Sequence, residues 1–230
     1  MLRHTAFFQF KEDITPEKQM WMLKGLAYMR FECKSVVSLD YGVDICGGSS
    51  RLREVKPFHR TPRWRAHDEG PPSNYDVALH VDFHDEAGLE AYNDDDVHHE
   101  VAQYNASVCE GELTARIDWH YDGDPLIEEG YVRHSAMFVW ADEADDASRE
   151  RALDHVRSLA SDPSAESFTI GKNIGSLPTD FDWLFDIHMR DAAAAEALIK
   201  SEGYARVMES LAAVTKYEWA ARVSHVMVGH

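Results

Sequence analysis

Apolar and polar residues alternate from the start of the chain. Leu2, His4, Ala6, Phe8 and Phe10 share one face, and Arg3, Thr5, Phe7 and Gln9 the other. This period of two, with its aromatic load, predicts a strand covered on both faces. Thr15-Pro16 predicts a helix start, Thr as cap and Pro at the first helical position. Met20, Leu23 and Ala27 give that helix one apolar stripe. A second strand is predicted over 36–41, stopped by Gly42. Residues 46–73 lose the pattern to Gly, Pro, Ser and Arg and read as a loop. Tyr75, Val77, Leu79, Val81 and Phe83 then alternate with Asp76, Ala78, His80 and Asp82, a half-polar third strand. Asp85 caps a short helix that ends near Tyr92. An acidic turn at Asp94, Asp95 and Asp96 leads to another helix, with Val97, Val101, Tyr104 and Val108 at buried-stripe spacing. A fourth strand is predicted over 113–121.

After Gly123-Asp124-Pro125 the pattern restarts. RHTAFF at Arg3 is echoed by RHSAMF at Arg133, 130 positions on, and Tyr41-Gly42 by Ile170-Gly171, 129 on. FHDEAGLEAY at Phe83 is echoed by MRDAAAAEAL at Met189, and Ala115-Arg116-Ile117 by Ala221-Arg222-Val223, both 106 on. Segments in register at fixed offsets indicate a tandem duplication. The drop from 129 to 106 places 23 extra residues in the first copy, between its second and third strands. The expected organisation is a first repeat over 1–122, with its insertion at about 47–73, and a second, degenerate repeat over 130–230. Each repeat reads strand, helix, strand, strand, helix, strand: an α+β, ferredoxin-like unit. A four-stranded sheet with helices on one face leaves its other face bare. Two copies bury those faces against each other, so the expected architecture is an α/β barrel within one chain. Polar inward positions would make the space between the sheets a ligand cavity.

Charge and composition narrow the partners. The chain of 230 residues carries 41 acidic and 23 basic residues, a formal net charge of −18. Phosphate backbones and anionic lipid surfaces are repelled, so neither nucleic acid nor a membrane is expected as a partner. Cys33, Cys46 and Cys109 are odd in number, far apart and without a CxxC pair. That suggests a reducing compartment. With no signal-like segment or spanning run, a cytoplasmic location is expected.

Candidate chemistry centres on His98 and His99, at the first turn of a helix. The helix N-terminus disfavours protonated imidazole, whereas the three aspartates before it favour the charged ring. A neutral ring there is a general base; the bland reading is a solvated, acid-capped helix start. Asp94, Asp96, His98, His99 and Glu100 include metal-ligand types, but adjacent helical residues diverge by about 100° and no His-x-x-x-His pair occurs, so no metal site is expected. His4 and His134 sit in strands among Phe and Ala, where a histidine is more often a satisfied core residue. His80, with Asp76 and Asp82, lines the cavity or faces solvent. The insertion holds Arg51, Arg53, Lys56, Arg60, Arg63 and Arg65 against one Glu54, with Phe58, His59, Trp64 and His67 interleaved. Such a loop either lids the cavity, gripping an anionic substrate through residues such as Arg60, Arg63 and Trp64, or docks by charge on the acidic surface.

RHTAFFQFK at the start, Tyr41-Gly42, NYDVALHVDF, and Tyr92 followed by His98-x-x-Val101 together resemble the stress-responsive dimeric α/β-barrel (Dabb) family. The likeness is good in the first repeat and degenerate in the second. The family's usual form is a small homodimer whose two sheets make the barrel. A fused pair implies a monomeric pseudo-dimer at the barrel, with homodimerisation through outer surfaces left open. The best understood members that the chain resembles are olivetolic acid cyclase-type polyketide cyclases, which close a ring by aldol condensation without a cofactor; a hydroxynitrile lyase resembles the same group. The resemblance implies that His98 is the catalytic histidine, Tyr92 its hydrogen-bonding partner and His4 a third site residue. His80, Arg60, Arg63 and Trp64 would meet the substrate. This chain departs from the cyclases in its insertion and in carrying aspartates where they have His-Pro. In the second repeat the positions of His98 and Tyr92 hold Tyr204 and Leu198; His134 alone survives. The implied function is a cofactor-independent enzyme of cyclase or lyase type acting on a small organic compound. The alternatives are a stress-induced binding or structural barrel and a cofactor-free monooxygenase.

Overall fold

A computed structural model describes residues 1–46, 73–123, 128–175 and 181–228. The insertion residues Arg60, Arg63 and Trp64 lie outside the described residues. The first repeat contains β1 (Leu2–Phe8), α1 (Pro16–Glu32), β2 (Ser38–Val43), β3 (Val77–Phe83), α2 (Glu86–Asn93), α3 (Asp96–Val108) and β4 (Ala115–His120). The second contains β5 (Val132–Phe138), α4 (Asp146–Arg157), β6 (Ser167–Lys172), β7 (Trp183–Met189), α5 (Ala192–Ile199), α6 (Glu202–Ala212) and β8 (Ala221–Val226). Each makes one antiparallel sheet, ordered β2-β3-β1-β4 and β6-β7-β5-β8. The order and the duplication are those expected from the sequence. Among the described residues no helix is long and apolar enough to cross a membrane.

The two sheets face each other and meet at both edges. Asp44 bridges His225 on β8, and Trp119 on β4 bridges Asn173 beyond β6. Gly42 and Gly171 explain how the edges come so close. A Cβ on Gly42 would lie 2.6 Å from the His225 ring, and one on Gly171 2.2 Å from the Trp119 ring. Gly42 was expected to end its strand; it lies inside β2 because that close approach needs a residue without a side chain. β4 starts at Ala115 rather than 113, since Leu113 closes a 3-10 turn.

Three apolar cores follow. One lies between the first sheet and its helices, with Leu2, Ala6, Met22, Leu26, Met29 and Phe83. A second does the same in the other repeat, with Phe138, Val156, Phe185 and Leu211. The third fills one end of the space between the sheets, with Phe7, Ile117, Trp119, Met137, Leu184 and Val223. α1 buries Met22, Leu26 and Met29, not the expected stripe; Leu23 is half-buried and Met20 is 56% exposed. Apolar residues surround this helix, so periodicity alone admits several stripes. Packing on α3, where a Cβ on Gly25 would touch Val101 at 3.3 Å, selects one.

The other end between the sheets is polar and rich in pairings, although His80 Nε2, Arg133 Nη2, His188 Nδ1 and His225 Nδ1 are buried there without a hydrogen-bond partner. Arg3 donates to Asp82 at 2.7 and 3.0 Å and to Asp186 at 3.1 Å. Arg133 donates to Asp40 at 2.8 Å and to His188 at 2.8 Å. His225 meets Asp40 at 2.9 Å, and Ser38 and Ser135 donate to Asp82 and Asp186. Many of the inward polar side chains expected to line a ligand cavity thus bond one another across the repeats. The repeats are also not electrostatic copies. β3 carries His80 and Asp82 where β7 carries Asp186 and His188 in the reverse order. Buried charges are costly unless paired, so the swap specifies which sheet faces which.

Candidate functional site

The expected catalytic residues meet on the helix side of the first sheet, not between the sheets. His4 sits mid-strand in β1 with its side chain on the face of Leu2 and Ala6. β1 pairs with β4 so that His4 and Asp118 are Cα partners. Their side chains close to 2.6 Å, His4 Nδ1 to Asp118 Oδ1, and both are buried. Tyr92 comes from the last turn of α2. Its hydroxyl donates to the Met29 sulfur at 3.5 Å, a weak acceptor. Its ring centroid is 6.3 Å from that of His4 and 4.1 Å from that of His98. His98 lies in the first turn of α3, where the Asp95 cap accepts the Val97 N–H at 2.8 Å. Its Nδ1 is buried and has no hydrogen-bond partner.

The competition at His98 resolves in favour of the neutral ring. Burial is the largest influence, and the nearby imidazoles of His4 and then His99 act the same way. The Asn93 backbone and Asp95 oppose them and lose, and the pKa is pulled down to about 4. Asp94 and Asp96 are exposed and spend their charge on solvent. Burial and nearby acidic groups raise the Tyr92 pKa, so its hydroxyl keeps its proton.

Two neighbours were not singled out from the sequence. Asp118 reads there as part of the polar face of its strand, but that face is turned towards the helices. Cys33 caps α1, its N–H donating to the Met29 carbonyl, and its thiol lies within the influence of Asp95 and the His98 backbone. Burial pushes that thiol up to about 12. The signal for Asp118 was register, an acidic residue opposite His4 on the neighbouring strand; Cys33 had none.

The second repeat fills the same place differently. His134 pairs through Nδ1 with Ser224 Oγ at 2.7 Å and through Nε2 with the Tyr204 hydroxyl at 2.8 Å. Ser224 stands at the position of Asp118, and Tyr204 at that of His98. Both ring nitrogens are occupied. Burial, with the Arg222 charge, holds this imidazole down to about 3.

His80 does not join the site. It lies on the opposite face of the sheet, between the repeats, with Nδ1 3.2 Å from Thr5 Oγ1 and its ring stacked on His225 at 5.5 Å. The strand period decides this: His80 shares its face with Asp82 and the inward arginines. His99 is exposed, on a different side of α3 from His98. Among the described residues no group of three or more His, Cys, Asp and Glu side chains is arranged to hold a metal ion.

Residues 2–120 match the family model of the Stress responsive A/B Barrel Domain. No curated protein matches the chain. Among solved structures, an anthrone oxidase-like protein is similar at TM-score 0.62 and 12% identity, covering 99% of this chain and 91% of its own. A putative monooxygenase of Fusobacterium nucleatum is similar at TM-score 0.59 and 10% identity, covering 98% and 91%. At these identities the likeness is one of fold. A dimeric ferredoxin-like protein of unknown function from Thermobifida fusca matches over 48% of this chain and 100% of its own, at 16% identity and TM-score 0.38.

Proposed function

The chain belongs to the stress-responsive A/B barrel domain family, and from that premise we propose that its first repeat is a cofactor-independent acid–base site for a small carbonyl compound, of polyketide cyclase or lyase type. The observation that carries this reading is the His4–Asp118 pair at 2.6 Å, facing a buried Tyr92 hydroxyl and the unpartnered Nδ1 of His98. The second repeat seals the equivalent place with hydrogen bonds of its own.

The geometry supports a division of labour. Asp118 accepts from Nδ1–H of His4, which fixes the tautomer and leaves Nε2 to take a proton. A C–H next to the substrate carbonyl gives that proton to Nε2, and the C–H electron pair becomes an enolate. The carboxylate beside it stabilises the imidazolium that forms. Tyr92, exchanging its weak bond to sulfur for the developing oxyanion, donates from a hydroxyl that holds its proton. His98, neutral, completes the polar lining. The enolate then attacks a second carbonyl of the same molecule in a cyclase, or a carbon–carbon bond breaks in the reverse sense in a lyase. This assigns the base role to His4 and makes His98 a partner, the reverse of the order that the resemblance implies.

A second reading keeps the same first step and gives the carbanion to dioxygen. The names of the anthrone oxidase-like and monooxygenase neighbours favour it. One assay separates the readings. Polyketide-like 1,3-diketones and phenolic ketones are screened by thermal shift, and hits are followed for product with and without oxygen. Asp118→Asn keeps the shape of the pair and removes its charge, so turnover should fall roughly 100-fold to 10,000-fold with binding retained. Binding without turnover in the unmutated protein would leave the site a ligand-binding one.

A further inference from the structure

The arginines at the centre of the two sheets are equivalent by the duplication, but their neighbours differ. Arg3 on β1 has Asp82 as its cross-strand partner, and Arg133 on β5, 130 positions on, has His188. Arg3 uses all three guanidinium nitrogens: Nε and Nη2 donate to Asp82 and Nη1 to Asp186. Arg133 donates through Nε to His188 and through Nη1 to Asp40, and its Nη2 is buried with no partner. A guanidinium is always charged, so these N–H groups are unmet donors. A buried donor of this kind costs stability unless something accepts from it.

Two more such donors stand beside it. His188 Nε2 accepts from Arg133, which puts the proton of the neutral ring on Nδ1, a buried atom without a partner. Thr5 Oγ1 accepts from the Trp119 indole at 3.1 Å, so its own hydrogen is free for His80 Nδ1 at 3.2 Å. The His80 proton then sits on Nε2, again buried without a partner. The groups lie on two facing rows: His188, Arg133 and His225 across β7, β5 and β8, and Asp40 and His80 across β2 and β3. Asp40 Oδ2 joins the rows, taking Arg133 at 2.8 Å and His225 at 2.9 Å, and the His80 ring stacks on that of His225 at 5.5 Å.

The carboxylates of this end are already engaged. Asp40 accepts from Arg133, His225 and the Val228 N–H, Asp82 from Arg3 and Ser38, and Asp186 from Arg3 and Ser135. Donors are left over, so what fits between the rows is a small group of acceptor oxygens. Arg3 and Arg133 face three aspartates, so an anion enters with a proton. His225 is placed to take that proton at its unpartnered Nδ1, because its Nε2–H is held on Asp40. Asp40 and His80 face this ring from the first sheet, Arg133 flanks it in its own, and Asp44 bridges its backbone at the sheet edge.

We propose that the two sheets bind one small oxyanion of carboxylate type between them, at Arg133, His188, His80 and His225, on the face of the first sheet opposite the acid–base site. The donors come from both repeats, so the ligand ties the repeats together.

Titration of the full chain with sodium formate, against sodium chloride as control, tests this by NMR of the imidazole groups. A ligand this small binds no tighter than roughly 1 mM, so the titration runs to about 100 mM. The expected result is a saturable change at His80 and His188 with formate alone, and a melting temperature that rises with it. Affinity should rise up to about 10-fold from pH 7.5 to pH 6.5, as one proton is taken up. His80→Phe keeps a ring on His225, removes the donor and should weaken binding at least about 10-fold, while His80→Gln, which keeps an N–H, should hold most of it. Changes confined to His4 and His98 would put the anion in the first-repeat site and overturn the proposal. An absence of saturation by about 100 mM would leave ordered water as the partner of these donors and overturn it too. So would an affinity flat with pH, or a His80→Phe chain that binds formate like the wild type.

Discussion

Lowering the pH should destabilise this fold well before its carboxylates titrate, because several buried histidines are held neutral. His134 has its pKa pulled from an ordinary 6.5 to about 3, and His98 to about 4, chiefly by burial. His80 and His188 are shifted down for the same first reason, with the Arg133 charge next. A histidine whose folded pKa lies below its unfolded one binds fewer protons in the fold. Stability is therefore lost as pH falls below about 6.5, and the loss continues until the folded pKa is reached. Each unit of pH in that window costs about 1.4 kcal/mol per group. At pH 5, His134 alone removes about 2 kcal/mol, and His98, which is partly exposed, about 1 kcal/mol after allowance for solvent screening. His80 and His188 add to the loss. Asp40 and Asp186 have depressed pKa values, and their contribution goes only below the ordinary carboxylate range. Urea unfolding at pH 7.5, 6 and 5, at constant ionic strength, should show at least about 3 kcal/mol lost by pH 5. His134→Asn should lower the slope by about one proton. A stability that stays flat to pH 5 would mean that these rings are charged in the fold, and the neutral His98 of the proposed site would fall with it.

Two further outcomes follow from the contacts. Gly171→Ala drives a methyl into Trp119, which cannot retreat because its Nε1 donates to Thr5 Oγ1 at 3.1 Å; a loss of about 3 kcal/mol is expected by urea unfolding, against none for Gly111→Ala, which has open space. Tyr204→Phe leaves His134 Nε2 unpartnered in a buried place and should cost about 1 to 3 kcal/mol without changing turnover.

The repeat, the order of elements and the two facing sheets were legible because they rest on period-two alternation and on fixed offsets, both local to the chain. The likeness to the family also found His4, Tyr92 and His98, which the structure brings into one cluster. It did not say which side of the sheet they occupy. That depends on which face of β1 packs on helices, and both faces of β1 are buried, so polarity could not decide it. Asp118 escaped for a related reason. In a strand covered on both sides, a carboxylate is no sign of solvent. Gly42 looked like a strand end because its partner, His225, is 183 residues away. The α1 stripe was misplaced because that helix carries apolar residues on more than one side, Met20, Trp21, Tyr28 and Phe31 among the exposed ones.

The central claim is that the His4–Asp118 pair takes a proton from carbon. The most direct measurement is solvent deuterium exchange into the α-carbon of an alkyl-substituted 1,3-diketone, followed by proton NMR, since it reads proton removal whatever bond is made or broken afterwards. The account predicts exchange accelerated by the wild-type chain, slowed roughly 100-fold to 10,000-fold in His4→Asn and in Asp118→Asn, and unchanged in His134→Asn. Equal loss from His4→Asn and His134→Asn, or exchange that survives His4→Asn, would contradict it.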